Sequence, residues 1–164
     1  MRILDERRKK YKKNFTDKIK CAFCRELKDE ECLGLRGEHW RVLVNINPYM
    51  DGNVMIVSLR HIEKIGDITD EEWKDFGAVL AKTEEVLKKI FKVDSLNVGL
   101  NVGPESGASM PHIHWQVVPR KFKNITVMNT FADLYIVAIS GQEAKKLIDK
   151  ETKATKLKNK KTGK

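Results

Sequence analysis

The stretch SMPHIHWQVVPR, residues 109–120, holds two of the four histidines of the chain, two positions apart. His112, His114 and Gln116 alternate with apolar residues, and side chains in a β-strand point to opposite faces in turn. The three polar side chains are therefore predicted to share one face of a strand. A neutral imidazole near pH 7 can bind a metal ion or attack an electrophile. A polar face of this kind needs hydrogen-bonding partners or a ligand.

A second group with possible chemistry is the C-A-F-C sequence formed by Cys21 and Cys24. Such a pair can supply half of a tetrahedral zinc site, which then needs two further ligands. Spacing favours His61 and His112 as those ligands, with Cys32 as a competing one. The alternative is a redox pair or two incidental thiols, although no thioredoxin-like βαβ pattern surrounds the cysteines.

The loop PESGAS, residues 104–109, comes directly before the histidine stretch and consists mainly of small residues. Its backbone N–H groups and the Ser109 hydroxyl could face an anion, as in phosphate-binding concavities. The loop alone is a weak signal. It gains weight because it leads into the strand that carries the histidines.

The elements that must position these groups follow from hydrophobic periodicity and turn signals. Apolar residues at three- and four-residue intervals predict one long helix from residue 70 to about 92, with Asp70 as its N-cap. The predicted strands are 39–46, 53–60, 95–103, 111–119 and 131–140, with a basic helix at 5–14 and a short helix from Gln142. The expected fold class is α+β, with a mainly antiparallel five-stranded sheet and one long crossover helix.

The net charge of +9 belongs to the two ends of the chain. Residues 1–20 carry nine Lys or Arg and three Asp or Glu, and residues 150–164 carry seven Lys and one Glu, so the remainder has a net charge of −3. We therefore divide the chain into a basic extension (1–20), a folded domain (21–141) and a short helix with a Lys-rich tail (142–164). The ends could contact RNA weakly and in a salt-dependent way, or simply be solvated.

Composition also bounds the location of the protein. No apolar run approaches the roughly 18 residues that a membrane-spanning helix needs. The basic N-terminus lacks the apolar stretch of a secretory signal, and three cysteines fit a reducing compartment. A cytoplasmic protein without a membrane partner is expected.

Taken together, these residues resemble the histidine triad (HIT) superfamily, whose signature is H-φ-H-φ-H-φ-φ with φ apolar. Here the signature stands as His112, His114 and then Gln116 in the third position. The resemblance covers most of residues 21–120, through the stretches CAFC, VNINPYMDGNVMIVSLRHI, the long helix and NVGLNVGPESGASMPHIHWQVVPR. It implies a HIT-like fold, with the sheet paired across a homodimer.

With glutamine in the third position, the motif resembles that of the transferase branch of the superfamily. This branch contains galactose-1-phosphate uridylyltransferase and the diadenosine tetraphosphate phosphorylases. That branch implies that His114 attacks the α-phosphorus and carries a nucleotidyl group, while Gln116 donates a hydrogen bond to the phosphate. It also implies a structural zinc ion. The implied ligands of that ion are Cys21, Cys24, His61 and His112.

The same resemblance assigns the substrate contacts. Asn45 matches the position that contacts the ribose, and Asn101, Gly107 and Ser109 lie in the stretch that binds the phosphate. The expected partners are a nucleotide and a phosphate-like acceptor. The uridylyltransferase is a longer chain with two copies of the domain, so the phosphorylases are the better match. The alternatives are a nucleotide hydrolase, or a low-turnover protein that binds nucleotide or RNA.

Overall fold

A five-stranded antiparallel sheet with two long helices forms the framework of the computed structural model, which describes residues 21–24, 32–46, 48, 50–108, 110–121 and 139–162. In chain order the elements are β1 (Cys32–Arg36), β2 (Trp40–Val44), β3 (Val54–Ser58), α1 (Asp70–Phe91), β4 (Ser95–Leu100), β5 (His114–Arg120) and α2 (Gly141–Thr162). The strand order is β1-β2-β3-β5-β4. The expected α+β fold with five strands and one long crossover helix is confirmed.

The pairing of β3 with β5 decides which side chains face the helices. In register, Val54 pairs with Val117, Met55 with Gln116, Ile56 with Trp115, and Val57 with His114. Trp115 points toward the helices, because its ring centroid lies 4.9 Å from that of Phe76 in α1. His114 and Gln116 therefore share the opposite face, as predicted. His112 differs from the prediction, since it precedes β5 in a bend.

The long helix α1 packs on the inner face of the sheet through the buried side chains of Phe76, Val86 and Leu87. It begins with a capping box, in which the Thr69 hydroxyl accepts from the Glu72 backbone and the Glu72 carboxylate accepts from the Thr69 backbone. The prediction of Asp70 as N-cap is therefore wrong by one residue. Threonine at this position satisfies a backbone N–H that the first helical turn leaves unpaired.

The sheet differs from the sequence prediction at its first strand. β1 is absent from the predicted strands, because its five residues include Gly34, and a central glycine weakens a strand signal. The strand predicted at 131–140 falls on residues 131–138, which lie outside the described residues, as does the predicted helix at 5–14. The sheet therefore reaches five strands through β1.

The last helix, α2, is 22 residues long, so the short helix expected from Gln142 is wrong in length. Its first half packs on the domain through Ala144 and Ile148, which are buried. The Asp149 carboxylate accepts from the backbone N–H of Gly34 in β1. Among the described residues, neither this helix nor any other combines the length and apolarity required to cross a membrane.

Candidate functional site

The orientation of His114 is set by the backbone of its own strand. Its Nδ1 lies 2.7 Å from the carbonyl oxygen of His112. A carbonyl oxygen only accepts, so Nδ1 carries the hydrogen and Nε2 keeps the lone pair. Burial lowers the pKa of His114, which favours the neutral ring. The side chain is 5% exposed. His114 is thus held in the tautomer that leaves Nε2 available as a nucleophile.

Gln116 lies on the same face, two residues further along β5, and its side chain joins a cluster of amides. The Gln116 Oε1 accepts from Asn53 Nδ2 at 3.0 Å and from Asn45 Nδ2 at 3.2 Å. Asn45 also donates to Asn53 Oδ1 at 2.9 Å. We call Asn45, Asn53 and Gln116 the amide cluster. Its members hold the glutamine oxygen, so the glutamine nitrogen is the end left to contact a ligand.

The predicted phosphate-binding residues lie on the loop between β4 and β5. Asn101 directly follows Leu100, whose pairing with Trp115 places the end of β4 beside the start of β5. Gly107 has φ 93°, a left-handed value that favours glycine, and its N–H donates to the Pro104 carbonyl at 3.3 Å. Asn101 and Gly107 are adjacent, since a Cβ on the glycine would lie 3.7 Å from Asn101 Nδ2. Ser109 lies outside the described residues.

A second group forms on the other side of His114, where the predicted metal ligands come together. Cys21, Cys24, His61 and His112 each present one ligand atom, and these four atoms lie within 4.8 Å of one another. We call this group the Cys–His cluster. The Cys24 Sγ lies 3.1 Å from His61 Nδ1 and 3.4 Å from His112 Nδ1. A tetrahedral zinc ion would hold sulfur and nitrogen ligands about 3.5 Å apart. The four residues therefore fit a metal ion of that kind.

The far nitrogens of both histidines in this cluster are also held. His112 Nε2 lies 2.9 Å from the carbonyl oxygen of Ser58 and 2.9 Å from its hydroxyl. His61 Nε2 lies 3.1 Å from a carboxylate oxygen of Glu63. Because a carbonyl and a carboxylate accept, each Nε2 is the protonated nitrogen and each Nδ1 lone pair faces the sulfurs. Ligand histidines in metal sites are commonly held in this way.

Protonation in the Cys–His cluster follows from its surroundings. Burial lowers the pKa of His112 to about 4, so the ring is neutral at pH 7, as a metal ligand must be. Desolvation of the thiol and its neighbour Cys21 raise the pKa of Cys24 to about 11. Without a cation the Cys24 thiol keeps its proton, and binding of a metal ion would release it.

Phe23 connects the two groups, since it stands between the two cysteines in the sequence. Its ring centroid lies 5.7 Å from that of His112 and 5.2 Å from that of His114. Arg41 on β2 donates to the Phe23 carbonyl and so ties the C-A-F-C turn to the outer face of the sheet. The turn that supplies two members of the Cys–His cluster therefore also covers the ring of His114.

Sequence reasoning located all four members of the Cys–His cluster but missed the residues that orient the site. Those residues are Phe23, Arg41, Asn53, Ser58 and Glu63. The sequence does hold a signal for Asn53 and Ser58, because one precedes and the other follows the apolar run VMIV. A polar residue at either end of a buried strand needs a hydrogen-bonding partner. Both are 1% exposed. The spacing could not show which partner each would meet.

Comparison with known proteins places this arrangement in one family. The family model described as HIT domain matches residues 31–123, more than half of the chain. The segment matched contains the amide cluster, His114 and both histidines of the Cys–His cluster.

Two curated relatives are similar over this region. The AP-4-A phosphorylase of Mycobacterium tuberculosis is 37% identical over 97 residues, which cover 58% of this chain and 50% of that protein. The bis(5'-adenosyl)-triphosphatase of Saccharomyces cerevisiae is 36% identical over 92 residues, covering 55% of this chain and 45% of that protein. The chain thus spans about half the length of the curated relatives it matches.

A solved structure shows the same fold. A Zn-bound histidine triad family protein from Mycobacterium smegmatis superposes with a TM-score of 0.66 at 18% identity, over 84% of this chain and 96% of that one. At this level of identity the likeness establishes the fold alone.

Proposed function

Because the chain belongs to the HIT domain family, we propose that it transfers a nucleotidyl group through His114, by phosphorolysis of a dinucleoside polyphosphate or a related nucleotide donor. The family members named above process diadenosine polyphosphates, which supports a nucleotide substrate of this class. The observation that carries the proposal is the hydrogen bond from His114 Nδ1 to the carbonyl oxygen of His112. It leaves the Nε2 lone pair on the face that also carries Gln116.

The chemistry proceeds in two displacements. His114 Nε2 attacks the α-phosphorus, a P–N bond forms, and the bond to the leaving polyphosphate breaks, which gives a nucleotidyl-histidine. An oxygen of inorganic phosphate then attacks the same phosphorus, and the imidazole leaves with its lone pair restored. For diadenosine tetraphosphate the products are ATP and ADP. The polyphosphate that leaves is a weak base, so it needs little help from an acid.

Gln116 suits this role because an amide donates a hydrogen bond but does not transfer a proton near neutral pH. Its nitrogen would bind a non-bridging oxygen as charge develops on the transferred phosphate. Asn101, Gly107 and Ser109 would bind the same phosphate from the preceding loop, and Asn45 the ribose. Proximity of Asn101 to Gly107 and of Asn45 to Gln116 supports this arrangement.

Hydrolysis is the second candidate, because one of the two curated relatives named above is a triphosphatase. Water would then take the place of phosphate in the second displacement. The first displacement at His114 would be unchanged. The two candidates therefore differ only in the acceptor.

Incubation of diadenosine tetraphosphate with and without inorganic phosphate separates the candidates. ADP release that depends on phosphate supports phosphorolysis. Release of AMP and ATP at the same rate without phosphate supports hydrolysis and overturns phosphorolysis. Absence of turnover under both conditions, with nucleotide still bound, would leave a binding protein for nucleotide or RNA.

For the Cys–His cluster we propose zinc. Two thiolates and two neutral imidazoles are ligands that zinc prefers, and the distances between ligand atoms fit a tetrahedron. The ion would supply a structural crosslink rather than catalysis, because all four coordination positions are filled by the protein. Cys21, Cys24, His61 and His112 would then lock the start of β5 to the C-A-F-C turn.

We also propose a homodimer formed along β4. This strand is an edge of the sheet among the described strands. Val98 in the strand is 44% exposed, and Val102 just beyond the strand is 47% exposed. Unpaired strand edges with apolar side chains favour pairing with another strand. Light scattering that returns the mass of one chain would contradict this proposal.

A further inference from the structure

We propose that Asn53 is a positioning residue that fixes the amide of Gln116 with its nitrogen toward the transferred phosphate. The orientation follows from the structure, whereas its catalytic meaning rests on the proposed function. Asn53 is 1% exposed and lies behind Gln116, so it does not reach the substrate itself. Nothing in the histidine signature points to it.

The argument starts from backbone carbonyls, which can only accept. Asn53 Nδ2 lies 3.2 Å from the oxygen of Val54 and 3.4 Å from the oxygen of Val117. In the opposite orientation the Asn53 oxygen would face both carbonyl oxygens and repel them. The end of the Asn53 amide that lies near these carbonyls must therefore be the nitrogen.

The orientation of Asn53 then determines that of Gln116. The same Asn53 nitrogen lies 3.0 Å from the nearest atom of the Gln116 amide, and two NH₂ groups cannot satisfy each other. That atom must be Oε1, which leaves Nε2 at the other end. Asn45 agrees with this assignment, because its Nδ2 donates to the oxygens of both partners.

The orientation matters because the two ends of an amide have nearly the same shape but opposite hydrogen-bonding character. With the nitrogen outward, Gln116 donates to a phosphate oxygen. With the oxygen outward, it would oppose the negative charge on that phosphate. A free glutamine could adopt either arrangement, and the donors that face its oxygen in the amide cluster select one of them.

The test is Asn53→Asp, which preserves shape but replaces the donor by a carboxylate. A carboxylate accepts from Gln116 Nε2 and so reverses the amide. We expect kcat for diadenosine tetraphosphate to fall by roughly 100-fold, as for loss of a donor to the developing charge. Gln116→Ala should cause a similar loss. The double variant should lie within about threefold of Gln116→Ala, because Asn53 acts through Gln116.

Independent losses would overturn the proposal. If Asn53→Asp lowers kcat by the same factor with or without Gln116, the new charge or a distorted fold is responsible. Binding of AMP is compared by calorimetry in the wild-type protein, the two single variants and the double variant. AMP binding can be measured even if the chain has no turnover. Failure of the proposed function and failure of the positioning role therefore give different results.

Neutron diffraction from a deuterated crystal of the wild-type protein decides the orientation even if Asn53→Asp does not fold. We expect deuterium on the Asn53 atom that faces Val54 and Val117, and on the outer atom of the Gln116 amide. Deuterium on the Gln116 atom that faces Asn53 would overturn the assignment.

Discussion

The Cys–His cluster and the amide cluster lie on opposite sides of His114 and use one device for opposite purposes. In each, a backbone carbonyl decides which end of a side chain carries hydrogen: Ser58 for His112, and Val54 with Val117 for Asn53. In the first cluster this leaves lone pairs facing inward, which suits a cation. In the second it leaves an N–H₂ group facing outward, which suits an anion. The ligand preference of a side chain here depends on the carbonyl behind it.

The largest effect on activity is expected from substitution of His114, the residue between the two clusters. His114→Ala should lower turnover of diadenosine tetraphosphate by about 10⁴-fold or more, because the nucleophile is lost, while AMP still binds. His39→Ala is the matched control, since the backbone N–H of His39 binds Asp75 on the helix side of the sheet. Steady-state kinetics measure both. Full turnover in His114→Ala would contradict the proposed nucleophile.

Removal of one proposed zinc ligand should affect the cation side most. Metal analysis of the wild-type protein should give about one zinc per chain, and Cys21→Ser should lose it. The free energy of unfolding should fall by about 3 kcal/mol, which is the stabilisation expected from a bound zinc ion present at 100 times its Kd.

The matched control for that loss is Cys32→Ser, at the position that spacing left as a competing ligand. Cys32→Ser should keep its zinc. Equal loss of metal in both variants would contradict the assigned ligands. Thermal unfolding with and without a chelator supplies the stability readout.

Changing the third position of the motif should affect the anion side. Gln116→Ala should lower kcat by roughly 100-fold. Gln116→His should shift the ratio of water to phosphate as acceptor toward water, because an imidazole can transfer a proton and an amide cannot. Product analysis by chromatography measures this ratio. An unchanged ratio would remove the link between glutamine and transfer.

The smallest effects should come from the first turn of α1, which contacts neither cluster. The Arg60 guanidinium lowers the pKa of the Glu72 carboxyl. The Glu72 carboxylate therefore stabilises the fold fully above its unfolded pKa of about 4.3. This stabilisation is lost as the pH falls through the lower pKa of the folded state. Glu72→Gln should therefore lower stability by about 1–2 kcal/mol at pH 7 and much less near pH 3.

Thr69→Ala removes the other half of the capping box and serves as the comparison for that pH dependence. It should cost about 1 kcal/mol, with a weaker pH dependence than Glu72→Gln, because Thr69 carries no charge and only assists in lowering the pKa of Glu71. Denaturant unfolding measures both variants. A gap between wild type and Glu72→Gln that stays constant with pH would contradict the role of the charge.

The sequence predicted the Cys–His cluster better than the amide cluster, for a physical reason. Cysteine and histidine are rare residues with restricted chemistry, so the positions of Cys21, Cys24 and His112 limit the choices strongly. Asparagine and glutamine are common in turns and on surfaces. The role of Asn53 depends on the register between β3 and β5, which brings Asn53 and Gln116 together across 63 positions of the chain.

The fold shows a similar division. Helix α1 was predicted from its long periodic pattern, and its ends were placed within about one residue. Strand β1 was missed because five residues with a central glycine carry little pattern of their own. It is a strand because β2 pairs with it and α2 packs on it, and α2 is remote from it in the sequence.

One turn couples the amide cluster to the end of α1. Gly52 immediately precedes Asn53 with φ 78°, and a Cβ there would lie 2.4 Å from the ring of Phe91 in the last turn of α1. The end of the helix thus packs closely against the turn that leads into Asn53. We therefore expect the amide cluster to form fully only once α1 has docked, so that recovery of turnover lags behind recovery of helical signal during refolding.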